Sequence, residues 1–180
     1  ASNNGIFPFV DRSLVNGTAQ DPDRIFSPEV LFALSDSQRG ELFEEYFDPS
    51  LAPNMVFRME TDLLEQTIYG GTGTGGNLDD YRCRSNWISS GSARYFYKYS
   101  DMTESGRIEN TMIPLLRLGE MYLIAAESQS NSLANGVSYI NTLRKNRGVS
   151  NLQTLTTTLL QYEYIREVYG EGQLFFMYKR

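Results

Sequence analysis

Histidine is missing from all 180 residues. That removes the histidine-based nucleophile triads and the commonest zinc ligand, leaving carboxylates, tyrosine and lysine for acid–base chemistry. Cysteine occurs once, at Cys83, so neither an internal disulfide nor a cysteine-based metal site can form. The flanking Arg82 and Arg84 could lower its thiol pKa, but with no imidazole to act as base, Cys83 reads as a spectator. No cofactor or metal is expected. Apolar runs are short: none reaches the length of a membrane-spanning helix. The opening Ala1-Ser2-Asn3-Asn4-Gly5 is polar and unlike a signal peptide. That start, and an end at Arg180 straight after an aromatic run, suggest a cut from something longer. Basic residues are outnumbered, 16 Lys and Arg against 22 Asp and Glu, for a net charge of −6. A phosphate-binding face needs clustered cations. The only basic cluster, Arg144, Lys145 and Arg147, falls at a predicted helix end, where cations complement the macrodipole. A nucleic-acid partner is not expected, and those three side chains are expected to be solvated.

What is present is an ordinary globular composition with an aromatic excess. Hydrophobic residues make up 41%, and 12 Tyr, 10 Phe and 1 Trp make up 13%. A phenol offers an apolar face and a polar edge, which suits both sugar stacking and a half-buried core position. Residues 1–112 mix element types. Glu29 to Ser35 reads as a short buried strand, and Asp36 or Ser37 can cap a helix running through Phe47 and stopped by Asp48-Pro49. Tyr69 to Asn77 is a glycine-rich loop, Asp79 to Ser92 is polar and irregular, and Ala93 to Tyr99 has strand propensity.

Residues 113–180 are helical by pattern. Pro114 suits a first helical turn, and Leu115, Leu118, Tyr122 and Ala126 follow at helical spacing, with Arg117, Glu120 and Glu127 on a polar arc. A break at Asn131-Ser132 leads to a helix from about Ala134 to Arg147, stopped by Gly148. The pair should form an antiparallel hairpin. A third helix runs from about Leu155 to Tyr169, ended by Gly170 and Gly172. The fold class expected is mainly α with irregular loops and a few short strands, in one domain.

Several patterns invite a chemical reading. Gly71-Thr72-Gly73-Thr74-Gly75-Gly76 fits G-x-G-x-x-G, but no helical period follows to meet a pyrophosphate, so a flexible surface loop is expected. The carboxylate pairs Asp79-Asp80, Glu44-Glu45 and Glu163…Glu167 would need to face each other across a bond for glycoside hydrolysis. Adjacent residues point apart, and the last pair is expected on a solvated face. Asn16-Gly17-Thr18 is a glycosylation sequon by pattern alone. Around Tyr69, Tyr81, Arg84, Asn86 and Trp87, rings flank planar polar side chains, the ingredients of a sugar site. Against this, a lone tryptophan is more often a core anchor under a long loop.

Three segments carry a family resemblance. Residues 113–127, Ile-Pro-Leu-Leu-Arg-Leu-Gly-Glu-Met-Tyr-Leu-Ile-Ala-Ala-Glu, resemble a helix of the SusD/RagB family. Residues 140–148, Ile-Asn-Thr-Leu-Arg-Lys-Asn-Arg-Gly, are similar to its next helix, and residues 163–180 resemble its Glu-Gly-Gln-containing signature. Leu174 and Met177 depart from that signature, where Arg and Asp are common. The resemblance implies a SusD-like fold with a tetratricopeptide-like hairpin, no repeat of that period being found. It also implies a cell-surface role: binding an oligosaccharide or similar nutrient and delivering it to a SusC-like TonB-dependent outer-membrane transporter, without catalysis. The family's lipid anchor and N-terminal half are expected to be absent from this chain, and Cys83 does not fit the anchor position. Arg117, Glu120, Glu127, Glu167 and Glu171 are then structural, expected to pair helices. Rival readings are a tetratricopeptide-type interaction scaffold and a glycoside hydrolase or accessory domain.

Overall fold

The computed structural model describes residues 6–15, 21–71, 73–102, 106–129 and 133–179. The sequon Asn16-Gly17-Thr18, the break at Asn131-Ser132 and Arg180 lie outside the described residues. The chain is mostly helical with a few short strands, as the sequence predicts. Among the described residues, no helix is long and apolar enough to cross a membrane.

Two small antiparallel ribbons organise the part of the chain before the long helices. After a short helix α1 (Arg12–Val15), strand β1 (Val30–Ser35) leads to helix α2 (Arg39–Tyr46). A π-helical turn, Leu63–Ile68, precedes the glycine-rich loop, and then come helix α3 (Tyr81–Asn86) and strands β2 (Trp87–Ser90) and β3 (Ala93–Phe96). The stretch expected to be irregular is thus ordered. Asp80 caps α3 by accepting from the Arg82 backbone N–H at 2.9 Å, and Trp87 pairs with Phe96 across the β2–β3 ribbon. The capping carboxylate is visible in the sequence, but ordering residues 87–90 also requires the partner strand β3.

Strand β4 (Met112–Arg117) replaces the predicted helix start. It pairs with β1 in antiparallel register, Val30 with Arg117 and Leu34 with Ile113. Pro114 stands opposite Ala33. A two-stranded ribbon consists of edge strands, where a missing N–H is tolerated. The β1 side is not buried as expected, since Phe32 and Leu34 are half exposed.

From Leu118 the helical periodicity holds. Helices α4 (Leu118–Glu127) and α5 (Leu133–Asn146) pack together, followed by α6 (Thr157–Val168) and α7 (Gln173–Tyr178). Thr156 caps α6 through its side chain. Gly136 of α5 lies where a Cβ would come within 2.6 Å of the Ala126 carbonyl oxygen, so its bare backbone allows the two helices their close approach. Their core comprises Leu123, Ala126, Ile140, Leu143, Leu160, Tyr164 and Val168. A second core gathers Leu64, Ile68, Tyr69, Cys83, Trp87 and Phe96.

Candidate ligand-binding cleft and the buried ionic framework

The two cores are joined by a network of buried charges, and it occupies the residues that looked solvated. Arg144 and Arg147 are 1% and 0% exposed, and Glu163 and Glu167 are 0% and 3% exposed. Helical spacing puts Glu163, Arg166 and Glu167 on the α6 face turned towards α3, β4 and α5 rather than to water. Arg147 grips Glu29 through both terminal guanidinium nitrogens, at 2.7 and 2.6 Å, and reaches Glu167 at 2.7 Å. Glu167 also accepts from Arg82 at 3.1 Å and Arg117 at 2.9 Å. Glu163 accepts from Arg82 at 3.0 Å, from Arg166 at 2.7 Å and from Arg144.

Burial alone would raise both glutamate pKa values, but the arginines reverse the sign. Glu163 is lowered, chiefly by Arg82 and Arg166, and Glu167 is held well below the usual carboxylate range by Arg147 and Arg117. Burial likewise opposes the charge of Arg82, yet Asp80 and Glu163 push its pKa well above normal. An acid held this firmly in its anionic form is a structural counter-ion and a poor proton donor.

Each of the five residues singled out from sequence bonds to a distant segment, though Arg117 lies on β4 and Glu171 joins β4 to the turn after β3 rather than helix to helix. Arg117 donates to the Glu167 backbone carbonyl at 2.5 Å and reaches Glu171 at 2.8 Å, and Glu171 also binds Lys98. Glu120 accepts from Gln173 at 3.2 Å, and Glu127 accepts from the Tyr164 hydroxyl at 2.7 Å. The ion pairs of Arg117, Glu167 and Glu171 are buried. Lys179 sits over the Phe175 ring, 4.4 Å from its centroid.

The glycine-rich loop belongs to the same framework. Arg144 donates to the Gly75 carbonyl at 2.7 Å, and Arg166 donates to the carbonyls of Ile68 at 2.6 Å and Thr74 at 2.9 Å. The loop expected to be a flexible surface segment is therefore pinned to α5 and α6 by its own carbonyl groups.

The structure does not assemble the sugar-site residues expected from sequence into an open surface. Trp87 and Tyr69 are 3% and 2% exposed. Trp87 packs 5.1 Å from Phe96 and 5.0 Å from Tyr169 between ring centroids, which leaves no face for a sugar. Asn86 is buried and accepts from the Ser85 hydroxyl. Tyr81 is half-buried against Val10, Val15 and Phe26. Arg84 alone is exposed, in a surface pair with Asp79 at 2.8 Å. The core-anchor reading of Trp87 is the one its packing supports. Cys83 is buried beside it, and burial pushes its thiol up to about 12.

A cavity of about 600 Å³ opens elsewhere, between α2 and the turn after β3, within the range of roughly 300–1,000 Å³ typical of small-molecule sites. Its apolar wall is the half-buried Tyr97, backed by the buried Phe43 edge to face with ring centroids 4.7 Å apart. Arg24 lies over Tyr97, 5.6 Å from the ring centroid, and donates to the Ser100 carbonyl at 3.5 Å. Burial lowers the Arg24 pKa. Helix α2 contributes Glu41 and Glu44 one turn apart, and Asp48 follows just past its end. Asp101 closes the opposite side, packed on Gly40, where a Cβ would come within 2.8 Å of its Oδ2. Rings beside carboxylates and a guanidinium fork suit a polyhydroxylated ligand, whose C–H faces stack while its hydroxyl pairs are bonded. The strand propensity over 93–99 and the helix expected through Phe47 put Tyr97 and Phe43 on separate elements, and Tyr97 lies just past the end of β3. The available signal was the alternation of Tyr95, Tyr97 and Tyr99, but nothing in it pointed to α2.

The family model for SusD matches residues 36–180. The chain belongs to the SusD family. Its members bind glycans or similar nutrients at the cell surface, are typically associated with the outer membrane, and work with SusC-like transporters. No curated protein matches the chain. The matched stretch contains most of the ionic framework, including Arg82, Arg117, Arg147, Glu163 and Glu167. It also contains most of the cleft wall, with Arg24 and Asp21 contributed from outside it.

Proposed function

We propose that this SusD-family chain captures an oligosaccharide, or a similar polyhydroxylated nutrient, at the cell surface. It passes the ligand to a SusC-like TonB-dependent transporter in the outer membrane, the full-length protein being held there by a lipid anchor. The cleft of Phe43, Tyr97 and Arg24 carries this reading, because it is a sizeable cavity combining a ring wall with donors and acceptors for hydroxyls. The framework glutamates contribute no acid to the ligand, since Glu163 and Glu167 are saturated by arginines.

The test is affinity electrophoresis and calorimetry of the chain against a panel of neutral oligosaccharides, repeated with Tyr97→Ala and Trp87→Phe. Binding that weakens in the first variant and persists in the second is the expected result. Retention of full affinity by Tyr97→Ala removes the cleft. Release of reducing sugar from any panel member replaces capture by hydrolysis.

A further inference from the structure

The cleft is lined by carboxylates that reach it from three separate parts of the chain. Glu41, Glu44 and Asp48 follow one another at intervals of three and four residues along and just beyond α2, so they share one side of it. Asp21 enters from the segment before β1, and Asp101 from the turn after β3. Facing these five carboxylates, the lining holds one guanidinium among the described residues, that of Arg24. Its position is set by Tyr97 beneath it and by the Ser100 carbonyl. Asp101 has a second cation nearby, Arg39, but at 3.4 Å and with the carboxylate itself 59% exposed.

We propose that this excess of carboxylates sets the ligand class of the cleft. Oligosaccharides bearing free amino groups bind best, neutral ones bind less well, and uronic-acid or sulfated ones bind worst. The inference rests on the glycan reading of the same cleft and adds charge to it. A ligand ammonium among the carboxylates gains charge-assisted hydrogen bonds, whereas a ligand carboxylate there meets like charge from several directions. Neutral hydroxyls are served by either sign, since a carboxylate accepts from them and Arg24 donates to them.

The test compares glucosamine oligomers, their N-acetylated counterparts and galacturonic-acid oligomers of equal length by calorimetry. It is run at about pH 6, where the amine is protonated and ordinary carboxylates are ionised. The amino oligomers should bind at least about tenfold more tightly than the uronic-acid ones, with the N-acetylated set between them. That gap should shrink in Glu41→Gln/Glu44→Gln/Asp48→Asn, and the amino oligomers should lose most of their affinity in Tyr97→Ala. Equal binding of all three sets, with Tyr97→Ala still weakening each, overturns the charge inference and leaves glycan capture standing. Amino-oligomer binding unchanged by Tyr97→Ala and abolished by salt marks mere adsorption and overturns the inference as well. If no member of the panel binds, the cleft reading fails and the inference fails with it.

Discussion

Replacing Glu167 by glutamine tests the ionic framework at its most connected point. The side chain is fully buried and faces Arg82, Arg117 and Arg147 at 3.1, 2.9 and 2.7 Å. Glutamine keeps the shape, removes the charge and turns two acceptor sites into donors aimed at guanidinium groups. Removing one partner of a buried ion pair costs about 3–5 kcal/mol, because the remaining charge stays in a poorly solvated place. Here three arginines lose a shared counter-ion. Arg117 retains Glu171 and Arg147 retains Glu29, so the upper end of that range is the reasonable ceiling. At about 2–4 °C per kcal/mol for a chain of this size, Tm should fall by roughly 6–20 °C. Thermal unfolding monitored by circular dichroism measures this, with Asp79→Asn as the control. Its exposed partner Arg84 makes a surface pair whose loss should barely move Tm. If Glu167→Gln lowers Tm no more than that control, the charges are not held in the low-dielectric setting argued for them.

Acid titration tests the same framework without mutation. Glu163 and Glu167 have pKa values depressed below their ordinary 4.5. Their stabilisation is therefore complete above about pH 4.5 and is lost as pH falls through their folded values. Chemical denaturation midpoints should drop progressively below that pH, and flat midpoints down to strong acid would contradict the assigned direction. Cys83 should resist alkylation in the native state, with its thiol buried and held near 12. It should react with a maleimide only at the rate of unfolding, and rapid native labelling would refute its burial. Trp87→Ala should cost about 3–5 kcal/mol of stability by emptying an aromatic core site, measured by denaturant unfolding. Gly148→Ala should also destabilise, since the residue has φ +75° and an added Cβ would come within 2.5 Å of the Tyr81 ring. An unchanged Tm for that variant would show that the turn can relax.

The sequence determined the features that rest on local physics. The apolar periodicity of α4, α5 and α6, the glycine after α5 and the motif order were enough to give a mainly helical chain and its family. Those features depend on neighbours three or four residues away, so a single sequence displays them. Tertiary structure decided which polar faces were solvated. Arg144, Arg147, Glu163 and Glu167 look like surface charges until Glu29 and Arg82, distant in sequence, arrive to compensate them. Burial of a charge is permitted only by its partner, and pairing across such distances leaves no periodic trace. For the same reason Pro114 looked like a helix start until β1 came alongside it as a strand. The cleft is the extreme case. Arg24, Phe43, Tyr97 and Asp101 share no motif or spacing, and only folding brings them to one cavity.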